Sequence, residues 1–281
     1  MKKISIIVVL GLILSACSSS LTATETAVQA TQIKTETPLP AATITPTASV
    51  VPTQEKPLRI LFIGSSHIYY SGTSYDLPKT FSWLAQSGGH VVEVARSAES
   101  GLWLKDHLDN QKTMNYLQNE EWDYVVLQED MYMGARASDR EEFMYPAIRA
   151  LVEEIKKSGA ETILFNTWVN PNPIYDGRME DYFADQVLLT EGYLEIAQEL
   201  NLLVAPVDAA IENSLKQEPE LYFWAPGDEH GHASPFGAYL TACVFYALLF
   251  QESPEGLSFV YQPAETSLYL QSVAADTILN K

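Results

Sequence analysis

Four stretches of this chain carry side chains that could do chemistry together. Gly64-Ser65-Ser66-His67 sets two hydroxyls behind a glycine. Ser97, Glu99 and Gly101 form a second group, and Gln128, Glu129 and Asp130 a third. Asp228-Glu229-His230-Gly231-His232-Ala233-Ser234-Pro235 sets two imidazoles beside two carboxylates. A hydroxyl, an imidazole, a carboxylate, a backbone N–H and a side-chain amide are the parts of acyl transfer. The nucleophile needs a base, the base needs an orienting carboxylate, and the tetrahedral oxyanion needs fixed donors. The last stretch also has the composition of a zinc site, since two histidines one residue apart stand beside carboxylates. No His-Glu-x-x-His helix accompanies it and a third ligand would have to come from a distant loop, so no metal is expected. A Gly-x-Ser-x-Gly elbow, a Ser-x-x-Lys pair and a phosphate-binding glycine loop are all absent from the sequence.

Those residues must be held by something. Leu58 to Gly64 (LRILFIG) is an apolar run closed by glycine, as suits a parallel strand buried on both faces. Val91–Ala95, Trp122–Gln128, Glu161–Phe165 and Leu203–Val207 read as four more strands. Helices are expected over Leu77–Gln86, Leu102–Leu117, Glu141–Lys157 with a stop at Gly159, Met179–Leu200, Pro235–Phe250 and Thr266–Leu279. Alternating strands and helices imply right-handed crossovers and a parallel sheet covered on both faces. Ligands of such sheets sit beyond the carboxyl ends of the strands, where the first three chemical stretches fall.

On these blocks the sequence resembles the SGNH (GDSL-type) esterase superfamily. Gly64-Ser65-Ser66 stands where members carry Gly-Asp-Ser or Gly-Asn-Ser after the first strand, and Gly101 matches the glycine of the second block. The third strand ends in Leu127-Gln128-Glu129, as in one subgroup, where most members offer Asn. His232, followed by Ala233-Ser234-Pro235, matches the histidine of the last block. The matches keep family order across about 175 residues. The resemblance implies a single three-layer α/β/α domain of about five parallel strands, flavodoxin-like, over 58–281. It implies that Ser66 is the nucleophile, His232 the base, and Ser66, Gly101 and Gln128 the oxyanion donors. Either Glu229, three residues before His232, or Asp228 would orient the imidazole, with the spacing slightly favouring Glu229. No cofactor is implied. The activity implied is hydrolysis of a small acyl ester, with acetyl on a carbohydrate as the analogy from superfamily members. The rival from another class is a non-catalytic surface-binding protein that keeps the fold, because Ser65 and Gln128 depart from the usual residues.

The other candidates have plainer readings. His67 is read as pocket wall, and His90 and His107 as structural. Tyr69, Tyr70, Trp103, Tyr132 and Trp168 fall near the same edge and could stack on sugar faces or shape an acyl pocket. Cys243 lies in an apolar run and reads as a core residue.

Lys2 and Lys3, the apolar run Ile4–Ala16 and Leu14-Ser15-Ala16-Cys17 resemble a bacterial lipoprotein signal with its lipobox. That implies cleavage after residue 16, lipidation of Cys17 and an extracytoplasmic, membrane-anchored location. Residues 18–57 hold 19 Ser, Thr or Pro, no aromatic and no glycine. Such a stretch cannot bury enough apolar surface to offset its ordering entropy, and it reads as a linker with a reach of roughly 35 Å. The whole chain has 36 acidic and 17 basic residues among 281, a net charge of −19, which becomes −21 without Lys2 and Lys3. That charge argues against a nucleic-acid partner, whose affinity rests on Lys and Arg, and against charge-driven docking on anionic lipid.

Overall fold

A computed structural model describes residues 56–72, 75–171, 182–261 and 263–280, all within one unit, Thr53–Lys281. The expected signal peptide, Cys17 and nearly all of the linker lie outside the described residues.

The chain builds five strands: β1 (Leu58–Gly64), β2 (Val92–Ala98), β3 (Tyr124–Leu127), β4 (Glu161–Asn166) and β5 (Leu203–Pro206). They pair in the order β2-β1-β3-β4-β5, every pair parallel. Successive strand side chains face opposite ways. Ile60, Phe62, Val126, Ile163 and Phe165 therefore join one core, and Leu61, Ile63, Val125, Leu127 and Leu164 the other.

The first core is covered by α1 (Leu77–Ser87), α8 (Val207–Gln217), α9 (Pro235–Phe250) and α10 (Ala264–Leu279). The second is covered chiefly by α3 (Gln111–Asn119), α6 (Tyr145–Ser158) and α7 (Tyr182–Leu200). Helix α9, including Cys243, is buried from Gly237 to Ala247. No helix among the described residues is long and apolar enough to cross a membrane.

The expected strands and most helices are present, and the sequence pattern fails where local caps override it. The helix expected over 102–117 is two, α2 (Leu104–His107) and α3, because the Asn110 side chain accepts from the N–H groups of Lys112 and Thr113 and starts a new helix. Helix α6 stops at Gly159, whose φ of 81° is the left-handed cap that glycine takes without strain. Three helices were not anticipated: α4 (Met131–Ala135), α5 (Ala137–Asp139) and α8. Crossovers leave β1 on both sides, to β2 and then β3. The crevice between the carboxyl ends of β1 and β3 is thus the switch point where this topology places ligands.

Candidate active site

Above that crevice lies a cavity of about 430 Å³, lined by Ser66, Gly101, His232 and Tyr70 together with His67, Trp103, Asp130, Tyr132 and His230. All four stretches singled out by chemistry reach it, the third through Asp130.

The strand-to-turn junction is held from three sides. The Ile68 N–H donates to the Ser65 carbonyl, closing a turn with Ser66 at its first central position. Gln128 Oε1 accepts from the Ser65 N–H at 2.9 Å and from its hydroxyl at 3.0 Å. The backbone N–H can only donate, so the amide oxygen must face it, and Gln128 Nε2 is left to donate to the Glu129 carbonyl. From below, His107 Nε2–H donates to the Gly64 carbonyl at 3.1 Å while Nδ1 accepts from Thr113 Oγ1 at 2.8 Å. Gly64 itself must be glycine, since a Cβ there would lie 2.5 Å from the Gln128 carbonyl oxygen. Ser65 is thereby buried and committed, whereas Ser66, 9% exposed, lines the cavity.

This corrects the role expected for Gln128. It is fully buried, is not among the cavity-lining residues, and its N–H is spent on Glu129; it anchors the turn and does not point a donor at the cavity. Gly101 does line the cavity, at φ 77°, where a side chain would be strained. Its loop is tied to β3 by Glu129, whose Oε1 accepts from the N–H groups of Leu104 at 3.1 Å and Asp130 at 2.7 Å. Burial pushes the Glu129 carboxyl up to about 8, so it is mostly neutral at pH 7, and no donor reaches its Oε2 to favour the ionised form.

On the far side, Asp228 grips His232 twice. Oδ2 accepts the His232 backbone N–H at 2.7 Å, and Oδ1 lies 2.9 Å from Nδ1. An acceptor there puts the proton on Nδ1 and leaves Nε2 with a lone pair. Burial pulls the Asp228 carboxyl up, but the bonds from His232 outweigh it and hold the group below the usual carboxylate range. The expectation favouring Glu229 is overturned. Its side chain is exposed, and its role is a backbone one, its carbonyl accepting from Asn170 Nδ2 at 2.8 Å. Four residues, not three, separate His232 from its carboxylate because the segment turns at Gly227 and Gly231, with φ of 76° and 72°. Trp168 Nε1–H fixes the same loop by donating to the Gly231 carbonyl at 2.8 Å.

His67 lies beside Ser66 as a wall residue. It stacks on Trp168 with ring centroids 4.7 Å apart, and its Nδ1 is 2.9 Å from Thr167 Oγ1. Burial, with His232 acting in the same direction, pushes it down to about 3, so it stays neutral. Ser66 and His232 share the cavity without a direct hydrogen bond between them. Such bonds are commonly long before substrate closes the site. His90 stacks on Phe250 and meets Glu252, away from the cavity lining. Among the described residues no three His, Cys, Asp or Glu side chains are placed to hold a metal. Sequence reasoning gave no signal for Asn170 and Thr167, because each acts through a partner distant in the chain, whereas His107 was read as structural and bonds the Gly64 carbonyl.

No protein-family model matches the sequence, and no curated protein does. Solved structures do. A protein assigned to the SGNH hydrolases from Slackia heliotrinireducens is 25% identical, with a TM-score of 0.56 over 68% of this chain and 97% of that one. A DUF4886-family protein from Bacteroides uniformis is 16% identical, with a TM-score of 0.65 over 80% and 95%. A catalytic mutant of an acetylxylan esterase from Geobacillus stearothermophilus is 19% identical, with a TM-score of 0.51 over 67% and 92%. The chain has the three-layer fold of the SGNH hydrolases.

Proposed function

We propose that this chain of SGNH-hydrolase fold is a serine esterase that removes a small acyl group, acetyl on a carbohydrate being the substrate favoured. The observation that carries the reading is the doubly bonded Asp228–His232 pair facing the cavity that Ser66 and Gly101 also line. In the proposed reaction His232 Nε2 takes the Ser66 proton as Oγ bonds to the ester carbon. The N–H groups of Ser66 and Gly101 hold the oxyanion. Collapse breaks the carbon–alkoxy bond, and the departing alcohol receives that proton from His232. Water, deprotonated by the same nitrogen, then cleaves the acyl-enzyme and restores the serine. Throughout, Asp228 holds the Nδ1–H tautomer.

The sugar reading draws on Trp103 and Tyr132 in the lining, whose faces suit pyranose rings, and on the acetylxylan esterase among the similar structures. Asp130 in the cavity and the net charge of −19 disfavour polyanionic substrates. We place the enzyme outside the cytoplasm, anchored through Cys17, on its lipobox-like start.

A fluorophosphonate probe followed by adduct mapping, with turnover of p-nitrophenyl acetate and acetylated xylo-oligosaccharides, tests this. An adduct on Ser66 and release of acetate are expected. No adduct and no turnover would favour a binding protein that keeps the fold. Radiolabelled palmitate incorporated by the wild type, and not by Cys17→Ala, tests the anchor.

A further inference from the structure

The strongest contact to His232 apart from Asp228 comes from an aromatic ring. Tyr70 lies face to face on the imidazole, with ring centroids 3.6 Å apart and planes 7° from parallel. The ring is delivered by a short antiparallel ribbon between the nucleophile turn and α1. Tyr69 bridges Asp76, the Tyr70 N–H donates to the Tyr75 carbonyl at 3.3 Å, and the Leu77 N–H donates to the Ile68 carbonyl at 3.0 Å. Arg96 secures the ribbon, its guanidinium over the Tyr69 ring at 3.7 Å and its Nη1 on Asp76 Oδ2 at 2.8 Å. Gly72 closes over the Tyr70 ring: a Cβ there would lie 2.6 Å from ring carbon Cε1. The ring is thus confined between glycine backbone and imidazole.

We propose that Tyr70 is a positioning residue that fixes the His232 ring plane and stabilises its protonated form through the π face. The inference rests on the esterase reading for its consequence, though not for its measurement. An imidazole bonded at Nδ1 alone can still tilt about that bond, and a parallel ring removes this freedom. Acylation turns the imidazole into an imidazolium, and an aromatic face at this distance attracts the cation. The groups that also face or neighbour His232 are Asp228 and His230 from its own loop, His67 from the β1 turn, and Asp130 and Tyr132 across the cavity. Asp228 is bonded to the imidazole and His67 stays neutral.

The test compares the wild type with Tyr70→Leu, which keeps the apolar cover and removes the π face, and Tyr70→Phe, which keeps the ring. The His232 titration is read by NMR in the intact chain, with a His232→Gln spectrum for assignment. Tyr70→Leu should lower that titration by about half to one pH unit, and Tyr70→Phe should restore it. In kinetics, kcat should fall about tenfold in Tyr70→Leu with KM changed less than about threefold, and the acid limb of kcat/KM should move down by the same interval. An unmoved titration, or a loss confined to KM, would make Tyr70 a plain substrate wall and overturn the proposal. Should Tyr70→Leu fail to fold, Gly72→Ala pushes the ring from its seat without altering it, and its His232 titration decides in the same way. The esterase reading fails separately, if the wild-type Ser66 takes no fluorophosphonate.

Discussion

Replacing Asp228 with Asn puts the proposed catalytic dyad of Asp228 and His232 to a chemical choice. Asp228 offers two acceptor oxygens to two donors, the His232 backbone N–H and Nδ1–H. An amide offers one acceptor and one donor. With the amide oxygen on the backbone N–H, the NH₂ faces Nδ1, and the imidazole must move its proton to Nε2. That tautomer cannot take the Ser66 proton. With the amide reversed, the correct tautomer survives but a donor faces a donor, at a cost of about 1–3 kcal/mol for the buried, unmatched group. The first arrangement avoids that cost and predominates, so most of the population lacks the base. That shift of about fivefold to 150-fold, together with the loss of the carboxylate charge beside the imidazolium, should lower kcat by about a thousandfold to ten-thousandfold, equivalent to about 4–5.5 kcal/mol, with KM nearly unchanged. Glu229→Gln, altering an exposed side chain, should stay within about twofold of the wild type. Both are read from p-nitrophenyl acetate turnover, with circular dichroism to show that the fold is kept. If Asp228→Asn stays within tenfold while Glu229→Gln loses a thousandfold, the assignment of the orienting carboxylate is wrong.

Three further outcomes follow from the surrounding bonds. Gln128→Ala strands the buried Ser65 N–H and should cost about 1–3 kcal/mol in a denaturant melt while lowering kcat more than it raises KM; unchanged stability would remove Gln128 from the anchoring role. Gly64→Ala forces a Cβ against the Gln128 carbonyl and should lower Tm by at least about 5 °C with loss of Ser66 labelling, and a native melt would show that the turn has room. Stability should also rise on mild acidification. Glu129 and Asp208 have folded pKa values raised by burial to about 8 and about 6, so their stabilisation is complete below the unfolded carboxylate range and is lost as pH climbs through those values. His67, lowered to about 3, works oppositely, its contribution present above about 6.5 and lost as pH falls towards 3. From pH 8 to 6.5 the Glu129 gain dominates, about 1–2 kcal/mol, and Glu129→Gln should abolish it; a Tm that falls over that interval in the wild type would refute the assignment.

Much of the fold could be read from local pattern. The apolar run of β1 and the glycine stop of α6 announce themselves, because strand burial and a left-handed cap are decided within a few residues. Where the chemistry gathers was legible too, since topology alone sends Ser66, Gly101 and Gln128 to one sheet edge. What each residue does there was less so. Asp228 and Glu229 are adjacent carboxylates, and the choice between them is made by two left-handed glycines and by bonds from Trp168 and Asn170 some sixty positions away. Helix α8 escaped notice because it begins directly after the Pro206 that closes β5, with no loop between to signal a change of period.

The two departures from the family pattern, Ser65 and Gln128, explain one another. Each was a reason to doubt the site when read alone, Ser65 as too short for the Asp or Asn of related chains and Gln128 as one methylene too long for Asn. In the fold they are bonded partners across 63 positions, the long amide reaching to the short hydroxyl and its backbone N–H. The residue after β3 serves the turn, and in the proposed mechanism oxyanion stabilisation falls to the backbone N–H groups of Ser66 and Gly101. A site built on two backbone donors does not depend on any one side-chain amide, so under the proposed mechanism the exchange at 65 and 128 changes how Ser66 is held without removing what the transition state requires.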